Sequence, residues 1–87
     1  MYFLIKRYID NMSIHDLNNL AISNGIGLSN DELEFSYHFI KKNWMSILSN
    51  KGLFDIDKYK DKFNEDNFIK IKKLYKDMLF KYGGYLK

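Results

Sequence analysis

The chain has 87 residues, 46% of them apolar and 17% aromatic, with neither Cys nor Pro and a net charge of +3. That length accommodates one core and not two, so residues 1–87 are read as a single helical domain. Without Cys there are no disulfides and no thiolate metal sites, which fits a reducing compartment.

The opening run Met1-Tyr2-Phe3-Leu4-Ile5-Lys6-Arg7 places its apolar residues ahead of its basic pair and is too short for a secretory leader. No stretch approaches the roughly 20 apolar residues of a membrane span. A cytoplasmic location is expected. Apolar residues recur throughout at helical spacing. A first helix over about 2–11 carries Leu4, Ile5, Tyr8 and Ile9, with Met12 following on the same face. Ser13 with Asp16 reads as a box-like N-terminus for a second helix, whose core side is Ile14, Leu17, Leu20 and Ala21. Asn24-Gly25 ends it, since Gly takes the left-handed cap without steric cost and Ile26 then packs back.

Ser29 and Glu32 form a capping box for a third helix over about 30–49, with Leu28 and Leu33 suited to a hydrophobic staple. Leu33, Tyr37, Ile40, Trp44, Ile47 and Leu48 make a wide stripe, while Phe35 and Phe39 point to nearly the opposite side. A helix apolar on two sides is expected to be covered on both. Asn50-Lys51-Gly52 closes it and Leu53-Phe54 anchor the connection. Asp55 or Asp57 starts a short fourth helix with Ile56, Tyr59 and Phe63. Asn64 caps the fifth, Glu65 and Asp66 sit in its dipole-favoured first turn, and Phe68, Ile71, Leu74, Tyr75, Met78, Leu79 and Tyr82 form its core face before Gly83-Gly84 stops it. The expected fold is all-α: a compact bundle of about five helices, the long third and fifth forming the core.

Charge is uneven. Residues 1–43 hold four Lys/Arg against five Asp/Glu, and residues 44–87 hold ten Lys against six Asp/Glu. This hints at an anionic partner, although a chain rich in Lys, Asn, Ile and Tyr is also what an AT-rich genome encodes, and that background reading carries the greater weight. Asp55, Asp57, Asp61 and Asp66 suggest a calcium loop, but one starting at Asp55 would hold Lys60 where Gly is needed and Asp66 where Glu is needed. The turn Gly25-Ile26-Gly27-Leu28-Ser29 suggests a helix-turn-helix, yet its second helix would bring Asp31, Glu32 and Glu34 to the phosphates. Both readings fail on charge. His15 and His38 lie in no metal or triad spacing, so no catalytic residue, metal ligand or cofactor is assigned.

The candidate surface is on the last helix, where Ile69, Lys72, Lys73, Lys76 and Phe80 lie together away from its core face. Two apolar residues flanking three lysines suit an acidic amphipathic partner or a phosphate backbone. The plainer and weightier account packs Ile69 and Phe80 beneath the first helix or the tail.

The succession Met12-Ser13-x-x-Asp16-Leu17, Asn24-Gly25-Ile26-x-Leu28-Ser29-x-x-Glu32 and Phe39-Ile40-Lys41-Lys42-Asn43 resembles a family of short helical proteins of low-GC Gram-positive bacteria. The likeness covers the first half of the chain. It implies a small cytoplasmic helical fold and supplies no activity and no functional residues. The expected function is a non-catalytic protein-interaction or regulatory module, its partner another protein or a second copy. The alternative is nucleic-acid binding through the Lys-rich C-terminal half, with Lys51, Lys62, Lys72, Lys73 and Lys76 on one face.

Overall fold

A computed structural model describes residues 2–49 and 54–82. Helix α1 spans Tyr2–Asn11, α2 Ile14–Ser23 and α3 Asn30–Ser49; a 3-10 helix over Ile56–Lys62 follows, and α4, the fifth element, spans Glu65–Tyr82. The described residues contain no strand, and the fold is an all-α bundle. The radius of gyration, 12.5 Å, is close to the roughly 12 Å of a compact chain of this length. The expected terminators at Asn50-Lys51-Gly52 and Gly83-Gly84, with Leu53 and the tail Tyr85-Leu86-Lys87, lie outside the described residues.

Several of the described boundaries are set by local hydrogen bonds. Asp16 N–H donates to Ser13 Oγ at 3.0 Å while Ser13 N–H donates to Asp16 Oδ2 at 2.9 Å, a reciprocal capping box. At the other end of α2, Ile26 N–H reaches Ala21 O at 2.9 Å and Gly25 N–H reaches Ile22 O at 3.0 Å. Those are the two bonds of a Schellman motif, with Gly25 in the left-handed region at φ 74° and Ile26 buried behind it. Asp55 caps the 3-10 helix through Asp57 N–H, and Asn64 caps α4 by accepting from Asn67 N–H at 2.8 Å. The fourth element is a 3-10 helix, with Ile56 and Tyr59 one turn apart on one face.

Two apolar layers meet on α3. In the first, α1 and α2 pack against it around Met12, Leu17, Ala21, Ile26 and Trp44. In the second, Phe35 and Phe39 of α3 meet Phe54, Tyr59 and Phe63, and Phe54 in turn meets Tyr75 of α4, ring centroids 4.7–6.0 Å apart. Such tilted and edge-on pairs add roughly 0.5–1.5 kcal/mol each beyond their burial. Helix α3 is thus covered on both sides, as its two apolar faces require.

Two expectations about the core need correcting. Leu4 and Tyr8 are not core residues but 62% and 59% exposed, because α1 lies against α3 through the narrower stripe of Ile5, Ile9 and Met12. Met78, on the last turns of α4, is 37% exposed and not part of the buried core. Side chains of Leu48, Leu79 and Tyr82 lie outside the described residues.

A polar node ties α3 to α4. The Glu32 carboxylate is only 6% exposed and accepts from Ser29 N–H at 2.8 Å, Asn64 N–H at 2.7 Å and Asn67 Nδ2 at 2.9 Å. Asn67 Nδ2 also donates to Gly27 O at 2.9 Å. One carboxylate therefore serves the N-termini of two helices, where the dipole favours negative charge. Burial pushes Glu32 upward, but the bonds from Ser29, Asn64 and Asn67 outweigh it and hold the carboxyl below its ordinary value.

Candidate functional site

Helix α4 turns Phe68, Ile71, Leu74 and Tyr75 inward, half-buried against the rest of the molecule. At 100° per residue, Ile69, Lys72, Lys73, Lys76 and Phe80 fall within an arc of about 100° on the opposite side. Ile69 is 60% and Phe80 94% exposed. Neither packs beneath α1, one of the two neighbours the plainer account offered; the other, the tail, lies outside the described residues. All five candidate residues lie on one outward strip, running about 16 Å from Ile69 to Phe80 at 1.5 Å per residue.

Lys72, Lys73 and Lys76 line an open depression of about 440 Å³ with Phe68, Ile69 and Asp77. Phe80 stands one turn beyond it. Lys72 Nζ also donates to Asp57 Oδ1 of the 3-10 helix at 2.8 Å. That bond, with the further charges of Lys60 and Lys76, holds the Asp57 carboxyl below its ordinary value against a smaller effect of desolvation. Among the described residues, neither Lys73 nor Lys76 has a carboxylate within ion-pair distance.

The other lysines are used differently. Lys41 of α3 donates to Ile9 O and Asp10 O at the end of α1 and lies 5.3 Å from the Tyr37 ring centroid. Lys70 donates to Gly25 O in the turn that ends α2, at 2.9 Å. Neither α1 nor α2 has a basic residue in its own last turn, so distant lysines supply the positive charge that a helix C-terminus favours. Lys62 sits 5.6 Å from the Phe35 ring centroid. Lys51 lies outside the described residues. Long-range contacts of this kind leave no signal in the sequence.

A larger hollow, about 760 Å³, lies between α1 and α2. Its lining joins Arg7 and Asp16, of opposite sign, to Tyr8, Leu20 and the core residue Met12. No charge of one sign converges there. His15 and His38 are both exposed, and among the described residues no three or more His, Asp or Glu side chains are grouped as a metal would require. No described helix is long and apolar enough to cross a membrane.

No family model, curated protein or solved structure matches the chain.

Proposed function

We propose that this chain is a non-catalytic protein-interaction module of the bacterial cytoplasm, and that its contact surface is the outer strip of α4. The observation that carries the reading is the exposure of Ile69 and Phe80 on one helical face, three turns apart, with Lys72, Lys73 and Lys76 between them. A helix-in-groove or helix-on-helix contact needs apolar anchors at such intervals and little else. Phe35 and Phe39, the second apolar face of α3, are spent on the aromatic layer.

The reading is tested by placing a photo-crosslinking amino acid at position 80 of the full chain in its host cell, with position 22 as control. Ile22 is also 60% exposed, on α2, so the control matches apolar exposure without sharing the strip. A discrete adduct from position 80 and none from position 22 supports the reading. Equal or absent adducts contradict it.

Nucleic-acid binding is the second reading, favoured by the convergence of Lys72, Lys73 and Lys76 on one depression. Two features weigh against it. Lys62 and Lys70 are engaged elsewhere, and Asp57 and Asp77 set negative charge among the remaining lysines, where a phosphate backbone would meet it.

A further inference from the structure

The chemistry of the strip narrows the partner, an inference that rests on the α4 contact reading above. Two lysines without carboxylate partners among the described residues lie between two exposed apolar side chains, and a third is bonded to a carboxylate carried by another element. Asp57 is the informative residue. Its carboxylate bonds Lys72 directly and feels the charges of Lys60 and Lys76, so a lysine of the strip already holds a protein carboxylate.

A second copy of the chain fits less well. An antiparallel pairing of two strips would lay Ile69 against Phe80 of the second copy, but it would also set Lys73 against Lys76 of the second copy, twice, at the centre of the contact. Like charges so placed cost several kcal/mol in an interface. A nucleic-acid backbone would meet Asp57 and Asp77. A partner with carboxylates between its own apolar anchors avoids the lysine–lysine clash and engages Ile69 and Phe80, which a phosphate backbone leaves unused; Asp57 and Asp77 face either anion and do not separate the two.

We propose that the outer strip of α4 docks an acidic amphipathic helix, with apolar side chains on Ile69 and Phe80 and carboxylates on Lys72, Lys73 and Lys76, and with Asp57 as a tethered competitor for Lys72. Anchors about 16 Å apart correspond to apolar residues eleven positions apart in the incoming helix. Docking moves the Lys72 ammonium from Asp57 to a carboxylate of the partner, and Asp57 turns to solvent.

The test uses a labelled helical peptide with Leu at two positions eleven apart and Glu on the same face between them. Controls are a scrambled peptide of identical composition, the same pattern with Lys for Glu, and a single-stranded DNA oligonucleotide. Binding to the full chain is followed by anisotropy at about 50 and 200 mM salt. The expected result is micromolar binding of the patterned acidic peptide alone, weaker at the higher salt. It should weaken tenfold or more in Lys73→Glu/Lys76→Glu and in Phe80→Ser, with circular dichroism confirming that each variant is folded. Asp57→Asn should tighten it about two- to fivefold, the scale of one surface ion pair.

Equal binding of the scrambled peptide, or DNA binding at least as tight, would mean that the strip answers to charge alone and would overturn the inference. No binding of any peptide, together with a discrete crosslink from position 80, would overturn the partner class while leaving the contact reading in place.

Discussion

Tyr75 carries its hydroxyl into the aromatic layer, where it is buried without a hydrogen-bond partner among the described residues. Burial also pushes its ionisation upward. An unmet buried hydroxyl costs on the order of 1–3 kcal/mol, so Tyr75→Phe is expected to raise the unfolding free energy in urea by about 1 kcal/mol. A loss of similar size would show that the hydroxyl has an acceptor. Glu32 is the opposite case, a buried carboxylate with a donor for every oxygen. Glu32→Gln turns one oxygen into an amide that faces a donor, and a loss of about 2 kcal/mol is expected at pH 7. Because the folded state holds this carboxyl below its ordinary value, its contribution is present above roughly pH 4.3 and is lost as pH falls through the lower folded value. The stability gap between wild type and Glu32→Gln should therefore narrow on acidification below that pH. A gap that stays constant to pH 2 would sink this assignment.

At the scale of the elements, the turn that ends α2 offers a paired comparison. Gly25 holds φ 74°, and a methyl group added there would meet nothing within 4 Å. Gly25→Ala should cost about 1–2 kcal/mol purely from the left-handed backbone, whereas Gly27→Ala, also in open space and without positive φ, should be neutral or slightly stabilising. Equal thermal shifts for the two would contradict the Schellman assignment. These caps were legible in the sequence because they are local: Ser13 with Asp16, Asn24-Gly25, Ser29 with Glu32, and Asn64 each act within four residues. What escaped sequence reasoning links residues far apart. Lys41 reaches α1, Lys70 reaches the α2 turn, and Asn67 is buried against Glu32 and Gly27, none of which periodicity reveals. Spacing identified the strip of Ile69, Lys72, Lys73, Lys76 and Phe80, but an amphipathic pattern with two apolar faces does not say which face lacks a neighbour. The same gap explains Leu4 and Tyr8, placed in the core by spacing and left outside it by α1's position on α3.

Across the whole molecule, the buried aliphatic core lies among α1, α2 and α3, and α4 joins it through half-buried side chains, the aromatic layer and the Glu32 node. Among the described residues that arrangement occupies one side of α4. Five of the thirteen lysines then fall into two groups: Lys41 and Lys70, which fasten elements together, and Lys72, Lys73 and Lys76, which lie along the exposed strip. The functional reading depends on the claim that Ile69 and Phe80 are withheld from the fold. The most direct measurement is the unfolding free energy of Ile69→Ser/Phe80→Ser against wild type in urea, since Ser, Ile and Phe have similar helix propensities. The account predicts a change of no more than about 0.5 kcal/mol per site, the behaviour of surface positions. A joint loss above about 3 kcal/mol, the scale of emptied core sites, would place both residues in the fold and remove the basis for a contact surface on α4.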